Sequence, residues 1–198
     1  MVTISFAAPV DFDSSVSGTK PASVAIGDLD GGGRWDLVLG NDYGPTGKSA
    51  TILINQTEFG QSNSISLASR IGIPIGIQQT SLQIGDIDSD GKRDIIASGV
   101  VVRNTSSVGS ADSASFVPMT NSGGVAGYGI AVGDLDGDGR LDVAATPGSS
   151  SVIIFRNILR GSQAITFPVI NEKTFGDTPF TVSATASSGG RFRMPSAA

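Results

Sequence analysis

The stretch Ile130-Ala-Val-Gly-Asp-Leu-Asp-Gly-Asp-Gly-Arg-Leu-Asp-Val-Ala-Ala145 decides how this chain is read. It runs from apolar residues into Gly-Asp, through three more aspartates in a glycine-rich loop, and back to apolar residues. Two other segments repeat it: Val24-Ala-Ile-Gly-Asp-Leu-Asp-Gly-Gly-Gly-Arg-Trp-Asp-Leu-Val-Leu39 and Leu82-Gln-Ile-Gly-Asp-Ile-Asp-Ser-Asp-Gly-Lys-Arg-Asp-Ile-Ile-Ala97. The first aspartates, Asp28, Asp86 and Asp134, stand 58 and then 48 residues apart. The nine-residue loops hold 3, 4 and 4 aspartates, so 11 of the 18 acidic residues fall in three short windows, a concentration that marks a repeat architecture.

Short aliphatic or β-branched runs flank each loop. A second run ending in asparagine follows: Thr51-Ile-Leu-Ile-Asn55, Val100-Val-Val-Arg-Asn104 and Val152-Ile-Ile-Phe-Arg-Asn157. A third opens or closes each unit: Ile4-Ser-Phe6, Ile65-Ser-Leu67, Ser115-Phe116-Val117 and Ile165-Thr-Phe167. Runs this short, punctuated by Gly, Ser, Asn and Pro, are strands. With 2 Glu and no sustained 3.6-residue period, almost no helix is expected. Each unit is therefore read as a small antiparallel sheet of three or four strands.

Composition narrows the chemistry. The 198 residues include neither His nor Cys, which removes Ser-His-Asp and Cys-His triads, thiol redox chemistry and ordinary zinc sites. A net charge of −5 argues against a nucleic-acid partner. No apolar run is long enough to span a membrane as a helix.

Within Asp86-x-Asp88-x-Asp90-Gly91-x-x-Asp94, carboxylates at positions 1, 3, 5 and 9 are expected to converge, with the glycine at position 6 allowing the sharp turn. The carbonyl at position 7, that of Lys92, supplies another oxygen. Such an all-oxygen cage suits Ca²⁺, while Mg²⁺ tolerates crowded protein cages poorly. Without a cation, carboxylates this close repel one another. Asp134, Asp136, Asp138 and Asp142, with the Arg140 carbonyl, form a second complete set. The first loop has Asp28, Asp30, Asp36 and the Arg34 carbonyl but Gly32 at position 5, so up to three Ca²⁺ ions are expected, the first site binding weakest. The position-7 side chains of Arg34, Lys92 and Arg140 are expected to point to solvent. The competing reading makes the aspartates plain Asx-turn residues.

An EF-hand requires Glu at position 12 and a following helix, whereas Leu39, Ala97 and Ala145 stand there, in strand-like runs. The pattern instead resembles the FG-GAP/VCBS repeats of integrin-α-like β-propellers. The likeness spans roughly residues 1 to 160 and rests on Ile26-Gly-Asp-Leu-Asp30, Ile84-Gly-Asp-Ile-Asp88 and Val132-Gly-Asp-Leu-Asp136. It implies an all-β chain of about three blades, an incomplete propeller, with calcium in the hairpin loop between the first two strands of each blade. A closed propeller typically needs 4–8 blades, so the chain is expected to belong to a longer protein or to self-associate through its blades.

The expected organisation is repeats over 1–162, a short β extension over 163–189 that resembles the start of a bacterial Ig-like repeat, and a basic tail over 190–198 without fixed structure. The resemblance implies a non-catalytic module of a secreted or surface protein, its secretion signal expected upstream, serving adhesion or recognition. Its partners beyond calcium would be a glycan or another surface protein. The alternatives are a carbohydrate-binding accessory module, for which Trp35 or Tyr43 would stack on sugar, and a structural spacer. The segment from Asp42 to Ser49 mimics a phosphate loop, but a strand-like run follows it where a helix would be required. Asn55-Gln-Thr57 and Asn104-Thr-Ser106 are glycosylation sequons on paper.

Overall fold

A computed structural model of the chain describes residues 4–12, 20–43, 49–58, 60, 65–75, 81–119, 128–159, 165, 166, 185 and 186. The chain divides into two compact units, Met1–Ile158 and Leu159–Ala198.

The first unit contains three open antiparallel meanders, here called blades. Blade 1 comprises β1 (Lys20–Gly27), β2 (Asp36–Tyr43), β3 (Ser49–Asn55) and β4 (Leu67–Pro74), paired in that order. Blade 2 comprises β5 (Leu82–Gly85), β6 (Asp94–Ala97), β7 (Val100–Asn104) and β8 (Phe116–Met119). Blade 3 comprises β9 (Gly129–Gly133), β10 (Asp142–Thr146) and β11 (Ile153–Phe155). The expected all-β class and the strand count per blade hold among the described residues. The one helical turn there is the 3₁₀ segment Ser113–Ser115, capped by Asp112. Each acidic loop joins the first two strands of its blade, and the register repeats: Gly27 pairs with Asp36, Gly85 with Asp94 and Gly133 with Asp142.

The blades are held together by their faces. Leu29, Val38, Ala50, Ile52 and Ile73 of blade 1 pack with Leu82, Ile95, Ala97, Val102 and Phe116 of blade 2. From the other face of blade 2, Ile96 and Val101 pack with Ile130 and Val143 of blade 3. Side chains alternate across a strand, so Ile95 and Ile96 serve opposite neighbours. That is why β6 is apolar and buried at Ile95, Ile96 and Ala97 without alternation.

The glycines of the first two apolar-Gly-Asp steps lie against a side chain of the following blade. A Cβ on Gly27 would lie 2.8 Å from Ile84 Cγ2, and one on Gly85 would lie 2.6 Å from Leu141 Cδ1. At Gly133, the equivalent in blade 3, a Cβ would have nothing within 4 Å among the described residues. Gly85→Val should therefore lower stability by about 2 kcal/mol through overpacking, while Gly133→Val should change it by less than about 0.5 kcal/mol. Urea denaturation of the two variants checks the difference.

One strand expectation is corrected. Ile4-Ser-Phe6 is not a strand: it is unpaired among the described residues and exposed. Ile165-Thr166 forms β12 (Ile165–Thr166), which pairs with β13 (Thr185–Ala186) in the second unit. The alternation read at Phe180–Ala184 and the tail over 190–198 lie outside the described residues.

Candidate metal centres

The loop conformation follows from where glycine stands. Position 6 has positive φ in all three loops: 79° at Gly33, 88° at Gly91 and 84° at Gly139. Position 4 does too, at Gly31, Ser89 and Gly137, with φ of 69°, 60° and 78°. Glycine adopts this region freely, and Ser89 is the only non-glycine residue in it among those described. Two left-handed residues in each loop fold the chain back so that its aspartates face inward.

The position-1 carboxylates then collect backbone N–H groups. Asp86 Oδ1 accepts from Asp90 N at 3.0 Å and Oδ2 from Gly91 N at 2.9 Å. Asp134 Oδ1 accepts from Gly137 N and Asp138 N, and Oδ2 from Gly139 N, at 2.7, 3.1 and 2.9 Å. In the first loop Asp28 Oδ2 accepts from Gly33 N at 3.0 Å, whereas Asp28 Oδ1 is buried without a partner. These Asx-type bonds shape all three turns, and they leave carboxylate oxygens facing one another.

The oxygens gather as sets of three within 4.8 Å: Asp28, Asp30 and Asp36; Asp86, Asp88 and Asp90; Asp134, Asp136 and Asp142. The first set contains every aspartate expected there. The second leaves Asp94 aside and the third leaves Asp138 aside, where four were expected to converge. Asp138 pairs with the guanidinium of Arg140.

Position 9 does more than offer a ligand. Asp36, Asp94 and Asp142 are fully buried, and each carboxylate bridges two backbone N–H groups. Oδ2 accepts from position 2 of its own loop: Leu29 N at 2.8 Å, Ile87 N at 3.0 Å and Leu135 N at 2.9 Å. Oδ1 accepts from the asparagine at or just past the end of the blade's third strand: Asn55 N, Asn104 N and Asn157 N, each at 2.8 Å. Burial pushes Asp94 up to about 6, and repulsion from Asp88 and Asp90 adds to this, against the backbone bonds from Asn104 and Ile87. Burial raises Asp36 also, with Asp30 adding repulsion. At Asp142 the N–H groups of Asn157 and Leu135 outweigh burial and hold the carboxyl below its usual range.

The asparagines complete the latch. Asn104 Oδ1 accepts from Ser106 N at 3.0 Å, and Nδ2 donates to Arg93 O of its own loop at 2.9 Å and to Leu29 O of blade 1 at 2.7 Å. Asn157 Nδ2 likewise donates to Leu141 O at 3.2 Å and to Ile87 O of blade 2 at 2.7 Å. Asn55 Nδ2 donates to Trp35 O at 3.0 Å, and Thr57 N donates to Asn55 Oδ1. With its side chain buried and both amide hydrogens committed, Asn104 is not an available glycan acceptor in the folded chain. The Asp42–Ser49 segment joins β2 to β3, so its phosphate-loop likeness has no helix behind it.

The position-7 expectation is corrected in two loops. Arg34 Nε donates to Asn55 O at 3.0 Å and Arg140 Nε to Asn157 O at 3.2 Å, so these side chains turn back onto the blade. Lys92 is exposed as expected. Two arginines had escaped notice. Arg103 pairs with Asp88 at 2.5 Å and with Asp90 at 3.2 Å, and Arg156 lies 3.5 Å from Asp136. Both immediately precede a latch asparagine, and that repeated Arg-Asn pair was the signal for them.

Blades of this kind, with an acidic loop between their first two strands, define a class of β-repeat proteins. Residues 126–155, which span blade 3, match the family model of the FG-GAP repeat. No curated protein matches the sequence. The residues fit a hard cation: three carboxylates per site within reach of one ion, a buried Asp28 oxygen with no hydrogen-bond donor, and neither His nor Cys in the chain. No helix among the described residues is long and apolar enough to cross a membrane.

Proposed function

We propose that this chain is a calcium-binding, non-catalytic repeat module of a secreted or cell-surface protein, in which Ca²⁺ pins the first hairpin loop of each blade for adhesion or recognition. The observation that carries this reading is the first loop, where the carboxylates of Asp28, Asp30 and Asp36 converge and Asp28 Oδ1 is buried without a donor. A buried, unpaired carboxylate oxygen is costly unless a cation meets it. In the other loops the ion is held by Asp86, Asp88 and Asp90 and by Asp134, Asp136 and Asp142, with Asp94 and Asp138 within their loops to join. The carbonyls of Arg34, Lys92 and Arg140 add neutral oxygens.

When bound, Ca²⁺ supplies charge neutralisation, not chemistry on a substrate. Three ions offset the formal charge of −5 and relieve the repulsion that Asp88 and Asp90 exert on Asp94. The external medium, with calcium near the millimolar range in which extracellular modules bind, is the setting such sites suit. Carboxylates committed in this way are poor general acids, which favours a binding module over an enzyme.

Calorimetric titration of EDTA-stripped protein should find up to three calcium sites, the first weakest, with magnesium far less effective. Absence of calcium binding at millimolar concentration would contradict the proposal. Gly32→Asp should tighten the first site roughly tenfold by adding a fourth carboxylate. A Cβ at Gly32 would lie 2.7 Å from Asp30 Oδ1, so Asp30 must swing toward the arrangement of loop 2, where Asp88 Oδ1 accepts from Asp90 N at 3.2 Å. An unchanged first-site affinity would show that Asp30 cannot make this adjustment.

A further inference from the structure

In loop 2 every oxygen of the three gathered carboxylates already has a donor. Asp86 Oδ1 and Asp88 Oδ1 accept from Asp90 N, Asp86 Oδ2 from Gly91 N and Asp90 Oδ1 from Lys92 N. These N–H groups belong to the turn itself, carry no net charge and leave each oxygen a second lone pair for an ion. The last two oxygens differ. Asp88 Oδ2 accepts from Arg103 Nε at 2.5 Å, and Asp90 Oδ2 accepts from Arg103 Nη2 at 3.2 Å. One guanidinium thus spans two of the three carboxylates that could hold an ion.

Its strand aims Arg103 at the loop. Val102 and Asn104 are buried and Arg103 between them is exposed, so alternation turns its side chain outward. Asn104 N, bonded to Asp94, fixes the strand end beside the acidic residues. The position also follows the charge it meets. Arg156 stands in the same place in blade 3, 3.5 Å from Asp136, in a loop that again has aspartate at position 5. In blade 1, where position 5 is Gly32, the residue before the latch asparagine is Ile54. An arginine stands at this position beside the two loops with a fourth carboxylate, and not beside the loop that lacks it.

We infer that Arg103 is a tethered counter-cation that Ca²⁺ displaces from loop 2, an inference that rests on the calcium reading given above. The guanidinium and the ion draw on the same two carboxylates, and two cations at contact distance repel each other. In the ion-free chain Arg103 relieves the repulsion between Asp88 and Asp90. An entering ion has to take both carboxylates from it. Arg103 therefore lowers the calcium affinity of this loop while keeping the ion-free loop in shape. A side chain that supported the ligands would raise the affinity instead, so the sign of the effect separates the two roles.

Titration of the EDTA-stripped, isotope-labelled chain with Ca²⁺ tests this, followed by the amide resonances of Gly91 in loop 2 and of Gly33 and Gly139 in the other loops. Arg103→Gln, which removes the charge and keeps a polar side chain, should tighten binding at Gly91 roughly fivefold, the scale of an exposed ion pair. It should leave the transitions at Gly33 and Gly139 in place. In the wild type, the Arg103 Nε–H should exchange slowly with water in EDTA and lose that protection as Gly91 titrates. Unchanged or weaker binding at Gly91 in Arg103→Gln overturns the inference, as does an Nε–H still protected at calcium saturation, and the calcium reading survives either result. If none of the three glycines responds to calcium, the calcium reading fails and takes the inference with it. Should Arg103→Gln lose its cooperative melt, the wild-type Nε–H measurement decides alone.

Discussion

Asp94→Ala should lower the stability of the calcium-free protein by about 3 kcal/mol, whereas Asp90→Ala, four residues earlier, should change it by less than about 1 kcal/mol. The contrast comes from what each carboxylate does without an ion. Asp94 is fully buried and accepts from Ile87 N and Asn104 N. Its removal strands two donors, each costing about 1–3 kcal/mol when buried and unpaired. Loss of a charge that burial already disfavours offsets part of this. Asp90 is exposed, accepts from Lys92 N and pairs with Arg103 at the surface, contacts of the weak kind. Urea denaturation in EDTA reads both values. Equal losses would mean that position 9 is a ligand and nothing more.

Asn104→Ala should cost about 3 kcal/mol, and Asn55→Ala about 1 kcal/mol, in the same assay. Both lose an amide bond to their own loop and an acceptor for the N–H two residues on. Only Asn104 also reaches Leu29 O of the neighbouring blade, a carbonyl buried there with Ser106 Oγ as its remaining partner. The difference therefore measures the link between blades. Asn104→Asp should be worse than Asn104→Ala, because it places a second carboxylate beside Asp94 and aims an oxygen at two carbonyls. Similar losses for Asn55→Ala and Asn104→Ala would show that the contact between blades adds no stability.

The loops were legible in the sequence because their chemistry is local. Nine residues contain the aspartates and the turn glycine, the strands flank them directly, and a threefold repeat separates the pattern from chance. What stayed hidden depends on contacts far along the chain. Asn104 was visible as the end of a run, but its bond to Leu29 O spans 75 residues. Gly27 and Gly85 read as part of a motif, and only the packing of Ile84 and Leu141 over them gives the reason glycine is required. Position 4 was overlooked because Ser89 stands where the other loops have glycine, although its φ of 60° follows theirs. Ile4-Ser-Phe6 has strand composition, yet composition cannot supply a neighbouring edge, and the segment pairs with none among the described residues.

The position-7 side chains were misread for a related reason. A charged side chain beside an ion site was expected to turn to solvent, but the carbonyl of the asparagine ending the second run lies within reach and accepts from Arg34 in the first loop and Arg140 in the third. The same feature places Arg103 and Arg156 beside the acidic loops, where they balance part of the charge. Each loop is thus braced by hydrogen bonds first, and the proposed ion acts on a scaffold already shaped to receive it.

The most direct test of this account is a thermal melt of the chain in EDTA and again in millimolar Ca²⁺, with Mg²⁺ as the control. A ligand that binds the native state alone adds about 2.7 kcal/mol per site at a hundred times its Kd. The account predicts a cooperative transition in EDTA, held by the position-9 latches, and a midpoint that rises with calcium but not with magnesium. A cooperative transition whose midpoint ignores calcium would contradict it and reduce the three acidic loops to ordinary turns.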